Sequence, residues 1–335
     1  MPLERAFARW LPEIEAEMKL IAGSADAATY VPFYGMLHYH LGWADASFAP
    51  ISVPAGKHIR PVLCLLACEA AGGDPRSALP AAAAVELLHN FSLIHDDVED
   101  ASDMRRGRPT LWKVWGAPQA INTGDALFTI AHMAFGRLSM YGVSADVQIE
   151  ARNRFDQTCL RLTQGQFLDM SFEARSVVTV DEYLEMIDGK TAALVSGTAA
   201  IGAILARSNR VDHYAEFGRM LGLAFQIEDD LLGIWGDPSV TGKSAAGDIA
   251  SRKKSLPVLY GLRRSAELRE LYAALEIEVP RVVELLEQAG AKEHAATIAD
   301  DYTQKALVAL DAAQPRGEAG EALRTLAAGL LGRRA

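Results

Sequence analysis

Residues 86–115, ELLHNFSLIHDDVEDASDMRRGRPTLWKVW, decide the fold. Apolar Val85, Leu87, Leu88, Phe91, Leu93 and Ile94 recur at helical spacing and run into Asp96, Asp97 and Asp100, which places the acids at a helix C-terminus. Residues four apart on a helix lie about 40° apart around the axis and about 6 Å along it. The Asp96 and Asp100 carboxylates therefore project from one face. Negative charge is disfavoured at a helix C-terminus unless a cation offsets it. Mg²⁺ suits this position, because it binds carboxylate oxygens, keeps waters and completes its shell with substrate phosphate. Taken alone, the same spacing also describes a solvated acidic helix end. Arg105, Arg106 and Arg108 follow at once, with Gly107 and Pro109 forcing a turn, so a second kind of anion-handling chemistry adjoins the first.

Upstream, residues 3–21 form an amphipathic packing helix that stops at Gly23, and an apolar stretch over 31–43 follows. Gly56-Lys57-His58-Ile59-Arg60-Pro61 then opens the helix VLCLLACEAA. Lys57 and Arg60, three apart at a helix N-terminus, make an anion site, with two solvated surface cations as the bland alternative. Gly72 to Pro75 break the chain before the aspartate helix, on which His89 lies one heptad before Asp96. His89 is a candidate phosphate ligand, although a lone helix histidine is more often structural. The set Lys57, Arg60, His89 and Arg106 contains no acid and can hold a diphosphate without metal.

Downstream, residues 117–141 and 147–172 read as helical, with Gln166 and Asp169 as lining residues. Thr179 and Glu182 form a capping box. Within the helix that they start, Gly189-Lys190-Thr191 interrupts an apolar run, and a kink there would turn a carbonyl into a cavity beside the Lys190 ammonium. A second acidic cluster follows, FQIEDDLLGIWGDP, in which Asp229 and Asp230 repeat the adjacent pair but Gly233 replaces the acid at i+4. Beyond it, Lys243, Asp248, Lys253 and Lys254 lie in a loop without apolar periodicity, the kind of segment that carries function.

The whole chain sets bounds on these motifs. Its 335 residues, half of them hydrophobic, suffice for a large core, and no linker composition divides it, so residues 1–335 are expected as a single domain. A net charge of −10 excludes a nucleic-acid partner, which needs a basic face. Three cysteines and no signal peptide point to the cytoplasm, with Cys64 and Cys68 as buried small residues. No apolar run of membrane-span length is expected. Two Asp-Asp helices, several cationic sites and almost no β alternation describe an all-α bundle around a central cavity. Carboxylates alone repel a diphosphate, so the acidic walls serve an anionic substrate through bridging Mg²⁺, which also stabilises a diphosphate leaving group.

From Gly56 to about Leu262 the chain resembles the trans-isoprenyl diphosphate synthases of the polyprenyl synthetase family. GKHIRP resembles the family's GKxxRP, and HDDVED with RRGRPT resembles its first aspartate-rich motif; GKT, FQIEDD and the lysine loop follow in family order. The resemblance implies the isoprenoid synthase fold, a homodimer, and head-to-tail condensation of isopentenyl diphosphate with an allylic diphosphate. It implies that Asp96 and Asp100 coordinate two Mg²⁺ and Asp229 a third, with Asp97 and Asp230 in support. Arg105, Lys190, Lys243 and Lys253 would hold the allylic diphosphate, and Lys57, Arg60, His89 and Arg106 isopentenyl diphosphate. Lys190, Thr191 and Gln226 would stabilise the allylic cation. The family's second motif commonly ends in Asp where Gly233 stands, which implies weaker support for the third metal. His58 replaces a commonly basic residue, with little consequence expected. Phe91 and Ser92, five and four residues before Asp96, border the path of the growing tail. An aromatic at the first of these positions implies geranylgeranyl diphosphate as product, with farnesyl diphosphate the runner-up. A terpene cyclase and a non-catalytic partner subunit are the rival readings. A cyclase has no need of Lys57 and Arg60, and a non-catalytic subunit should have lost its acids.

Overall fold

The computed structural model describes residues 2–24, 27–53, 56–173, 175, 177–236, 246–274 and 276–331, without the side chains of 330 and 331. In chain order come α1 (Pro2–Ala22), α2 (Val31–His40), α3 (Ile59–Ala70) and α4 (Leu79–Glu99). The two-residue strands β1 (Met104–Arg105) and β2 (Arg108–Pro109) follow, then α5 (Leu111–Trp115), α6 (Ala117–Ala134), α7 (Ala145–Glu173), α8 (Val180–Ile187), α9 (Ala193–Leu205) and α10 (Val211–Trp235). Helices at Gly247–Ala250, Leu256–Arg264, Ala266–Ala273, Val279–Gln288, Ala291–Ala312 and Gly317–Leu331 complete the chain. The fold is all-α, and β1 with β2 is the sole sheet among the described residues.

Contacts divide the chain into two compact units. The first takes Met1–Phe155, Ala200–Asn209 and Pro315–Leu323; the second takes Asp156–Ala199, Arg210–Gln314 and Arg324–Ala335.

In the first unit α4 packs against α1, α3 and α6. Its early turns are apolar all round, and Ala81, Ala82, Ala83 and Ala84 are fully buried, as befits a helix covered on every side. Small side chains let the neighbours close in. Contrary to the expectation of no such run, Pro75–Glu99 is long and apolar enough to cross a membrane by length and composition, and 72% of its apolar window is buried inside the protein. Cys64 and Cys68 are buried packing residues, and burial pushes the Cys68 thiol up to about 12.

In the second unit α10 packs on the helix Ala291–Ala312 and on the turn Asp188–Ala192. Ile234, at the end of α10, joins Ile249, Val258, Leu268, Val282 and Leu286 in one core. The capping box at the start of α8 is made in both directions, Thr179 N donating to Glu182 at 2.8 Å and Glu182 N to Thr179 Oγ1 at 3.2 Å. The interruption expected at Gly189-Lys190-Thr191 is a π turn, Asp188–Ala192. It lies backbone to backbone against α7: a Cβ on Gly189 would stand 2.8 Å from Gly165 Cα and 2.9 Å from Arg161 O. Glycine at both positions permits that approach.

Candidate active site

At the end of α4 the acids divide by direction. Asp96 is partly exposed, Asp100 is exposed and occupies the C-cap, and Asp97 is 2% exposed. Asp97 accepts from Arg105 Nε at 2.7 Å. Burial raises the Asp97 carboxyl pKa, against the pull of Arg105. Asp96 and Asp100 lie toward solvent, while the inward Asp97 holds the hairpin that follows.

That hairpin aims the arginines. Arg106 and Gly107 connect β1 to β2 with φ of 51° and 74°, the two-residue turn whose twist matches antiparallel strands. A non-glycine residue there costs about 1–2 kcal/mol. The conformation brings Arg106 back to α4, where Nη1 donates to Asn90 Oδ1 at 3.2 Å. Gly56 closes on the same guanidinium: its φ is 128°, and a Cβ there would lie 3.2 Å from Arg106 Nη2. Arg108 is spent on structure. It donates to Tyr39 O at 3.0 Å and Ala44 O at 2.8 Å and stacks over the Tyr39 ring.

Arg60, in the first turn of α3, lies with Nη1 3.3 Å from His89 Nε2 on α4. Lys57 precedes the helix and is exposed. Burial and the charges of Arg60 and Arg106 hold His89 well below the usual histidine range, so it is neutral. The sequence placed no acid in this pocket, and the structure corrects that. Glu86, 2% exposed, lies with Oε1 3.0 Å from His58 Nδ1 and accepts from Asn90 Nδ2 at 3.3 Å. Burial pushes its carboxyl up, but the His58 hydrogen bond and the charges of His58, Arg60 and Arg106 outweigh burial and leave it below the usual range. His58, expected to matter little, is thus the partner of the pocket's buried counter-ion. Its φ of 46° turns it toward α4.

In the second unit Asp230 is fully buried and forms a hub. Tyr183 OH donates to Oδ2 at 2.5 Å, while Gln226 Nε2 at 3.0 Å and Lys253 Nζ at 3.2 Å approach Oδ1. Gln226 in turn accepts from Thr191 Oγ1 at 2.7 Å. Lys253 also lies 3.7 Å from Asp248. Burial works against its ammonium, but Asp230 and Asp248 prevail and raise its pKa. Asp229 is partly exposed beside this hub. Lys190 pairs with Asp169 at 2.5 Å, which joins a π-turn residue to a candidate lining residue. Lys254 donates to the carbonyls of Phe172 and Glu173. Lys243 lies outside the described residues.

Phe91 is partly buried, its ring 4.7 Å from that of His95 and 5.0 Å from that of Phe128 on α6. Phe128 continues to His132 at 4.5 Å, and His132 to Phe155 at 5.1 Å. Ser92 Oγ donates to His89 O at 2.9 Å.

Two acidic helix faces, a glycine-backed arginine pocket and a lysine hub occur in the order of one known family, and the polyprenyl synthetase profile matches residues 43–289. The chain belongs to the polyprenyl synthetase family. Within it, a (2E,6E)-farnesyl diphosphate synthase of Mycobacterium tuberculosis is 43% identical over 273 residues, 78% of this chain and 75% of the relative. A geranylgeranyl diphosphate synthase of the same organism is 43% identical over 289 residues, 83% and 81% of the two chains. Among solved structures, a polyprenyl synthetase from Streptomyces coelicolor A3(2) superposes with a TM-score of 0.88 at 37% identity, covering 98% of each chain. A polyprenyl synthase from Caulobacter crescentus, complexed with calcium and isoprenyl diphosphate, gives 0.83 at 29% identity over 100% and 98%.

Three buried polar residues escaped the sequence reading: Glu86 and Asn90 in the first unit and Tyr183 in the second. Glu86 and Asn90 did leave a signal. They are polar residues four apart in the otherwise apolar run AAAAVELLHN, and a buried polar group must find a partner.

Proposed function

We propose that the chain is a prenyltransferase that condenses isopentenyl diphosphate head-to-tail with an allylic diphosphate, giving a short-chain all-trans prenyl diphosphate. One observation carries this reading. On α4, His89 with Arg60 and Arg106 stands seven residues, about 10 Å along the axis, before Asp96 and eleven before Asp100. One end suits a diphosphate held directly and the other a diphosphate held through metal, so the reaction takes two diphosphate substrates.

Among the described residues no three His, Cys, Asp or Glu side chains converge as a metal cage. The donor set nevertheless fits Mg²⁺, since outward carboxylates supply hard oxygens and water and diphosphate supply the rest. Asp96 and Asp100 are the proposed ligands of two Mg²⁺ and Asp229 of a third. Held by these residues, Mg²⁺ would supply charge neutralisation at the allylic diphosphate as it leaves. Arg105, Lys190, Lys243 and Lys253 hold that diphosphate; Lys57, Arg60, His89 and Arg106 hold isopentenyl diphosphate. The allylic C–O bond breaks with its electron pair on the diphosphate, and the isopentenyl double bond attacks the resulting cation. Lys190, Thr191 and Gln226 support that cation, Thr191 being oriented by its hydrogen bond to Gln226. A proton then passes to the departed diphosphate. Geranylgeranyl diphosphate is the proposed product, and relatives named for twenty- and fifteen-carbon products both support the short-chain class. The reading includes a cytoplasmic homodimer with residues 1–335 acting as one synthase domain.

The test is incubation with geranyl or farnesyl diphosphate, with and without isopentenyl diphosphate, in Mg²⁺. Elongated product that requires isopentenyl diphosphate is expected. Hydrocarbon from the allylic substrate alone would identify a cyclase, and no product in either arm would identify a non-catalytic subunit.

A further inference from the structure

We propose that Asp188 is a positioning residue for the allylic half of the reaction: its carboxylate, held by Arg161 of α7 and Arg219 of α10, fixes the π turn that carries Lys190 and Thr191. The inference rests on the proposed roles of Lys190 and Thr191 and adds a residue that acts through them.

The turn Asp188–Ala192 lies between α7 and α10, and each helix meets it at three points. On α7 these are Arg161, Gly165 and Asp169, spaced i, i+4 and i+8 along one face. Arg161 Nη2 donates to Asp188 Oδ2 at 2.9 Å, Gly165 lies against the Gly189–Lys190 peptide, and Asp169 accepts from Lys190 Nζ at 2.5 Å. On α10 they are Arg219, Gly222 and Gln226, spaced i, i+3 and i+7. Arg219 Nε donates to Asp188 Oδ1 at 2.6 Å, a Cβ on Gly222 would stand 2.6 Å from Ala192 Cα, and Gln226 Oε1 accepts from Thr191 Oγ1 at 2.7 Å. Each helix thus presents an arginine, a glycine and a polar residue in the same order. One carboxylate takes both arginines, one on each oxygen.

The turn departs from the α ladder, since Ala193 N donates to Asp188 O five residues back rather than four. Relaxation to α spacing would rotate the residues around the helix axis and carry Lys190 and Thr191 away from Asp169 and Gln226. The glycines permit the close approach but do not enforce it. Of the side chains in the turn, Lys190 and Thr191 have substrate to meet, so Asp188 is the polar tie that stays made throughout the reaction. Its side chain is 18% exposed and those of its two partners about 45%. Ion pairs at that exposure contribute little to global stability. Arg219 also keeps Glu216 at 3.8 Å. The clamp therefore acts on geometry more than on folding.

The test uses Asp188→Ala, Asp188→Asn and the double variant Arg161→Ala with Arg219→Ala, measuring kcat, KM for farnesyl and isopentenyl diphosphates, and melting temperature. Asp188→Ala and the double variant should each lower kcat/KM for farnesyl diphosphate about tenfold to a hundredfold, the scale of a small misplacement of catalytic groups. The KM for isopentenyl diphosphate should stay within about twofold and the melting temperature nearly constant. Asp188→Asn, which keeps an acceptor oxygen without the charge, should fall between Asp188→Ala and the wild type. Wild-type kinetics in a folded Asp188→Ala enzyme overturn the inference. Equal damage to both KM values with a lowered melting temperature, or misfolding of both Asp188 variants, also overturns it by showing a structural role. Lys190→Ala is measured in parallel. A raised KM for farnesyl diphosphate in Lys190→Ala but not in Asp188→Ala defeats this inference alone, whereas a normal KM in both defeats the proposed role of Lys190 and the inference with it.

Discussion

The carboxylate of Asp248 fills the space that a side chain at Gly233 would need: even a Cβ built there overlaps its oxygens. Position 233 is where the second acidic motif lacks its i+4 acid, and the neighbouring space is already occupied by an acid from a different element. Asp248 also lies 3.7 Å from Lys253, whose ammonium bridges toward Asp230. Restoring the common motif with Gly233→Asp should therefore harm the enzyme. The new side chain displaces Asp248 at an overpacking cost of about 1–3 kcal/mol and sets two carboxylates together. A roughly tenfold drop in kcat/KM with a higher Mg²⁺ requirement is the expected outcome, and Gly233→Ala should reproduce the steric part. Increased activity in Gly233→Asp would show that Asp248 yields freely.

The inward and outward acids should fail in different ways. Asp96→Ala and Asp229→Ala remove proposed Mg²⁺ ligands and should lower kcat by about a thousandfold, the scale of several kcal/mol of charge stabilisation, with little change in thermal stability. Asp230→Ala strips Tyr183, Gln226 and Lys253 of a common partner in a fully buried site, so it should cost about 3–5 kcal/mol of stability. Asp230→Asn keeps part of the hydrogen bonding and should be milder. Thermal melts beside kinetics separate these effects; equal stability loss in all the alanine variants would make the outward acids structural.

How much of this was legible in the sequence depends on how local the cause is. The outward face of Asp96 and Asp100, the turn at Arg106-Gly107 and the break at Gly189-Lys190 follow from helical spacing and glycine placement, which act over a few residues. His58 with Glu86, Tyr183 with Asp230 and Gly233 with Asp248 are pairs 28, 47 and 15 residues apart, and only packing brings them together. Asp97 and Asp230, expected as supporting acids, are both buried, each being adjacent to a more exposed acid and so about 100° around the helix from it. Glu86 was passed over because a glutamate on a helix is ordinarily solvated, and nothing in its own spacing announces the burial that makes it a counter-ion.

The two proposed diphosphate sites should separate kinetically. Lys57→Ala or Arg60→Ala should raise the KM for isopentenyl diphosphate tenfold to a hundredfold, the effect of about 1.5–3 kcal/mol for a charge-assisted contact, with the allylic KM nearly constant. A shift in the allylic KM instead would reverse the assignment.

Two histidines with lowered pKa give the protein an acid-side weakness. His40 is held near 3 and His89 well below its usual value, whereas both return to about 6.5 on unfolding. The unfolded chain therefore binds more protons below pH 6.5, and stability is full above that value and falls as pH drops toward the folded-state pKa. For His40 alone the loss between pH 7 and pH 5 is about 2 kcal/mol. Melting temperature against pH should fall over this range in the wild type and less steeply in His40→Gln; identical slopes would refute the burial of a neutral imidazole.

Product length should follow the aromatic ladder that begins at Phe91. The ring is partly exposed near the acidic end of α4, with His95 on one side and Phe128 of α6 on another. If Phe91 were ordinary core, truncation would cost about 3–5 kcal/mol and leave the product unchanged. As a partly exposed floor it should come out at lower cost, and the chain should grow past it until it meets Phe128, 5.0 Å further on between ring centres. Phe91→Ala is thus expected to stay folded and add one isoprene unit or so, and Phe91→Ala with Phe128→Ala to extend the product again, toward His132. Ser92, about 40° around the helix from Asp96, leaves the metal-facing side open, so Ser92→Phe should shorten the product. Chromatography of the products formed from isopentenyl and farnesyl diphosphates reads all three variants, and an unchanged product from a well-folded Phe91→Ala enzyme would exclude this residue from length control.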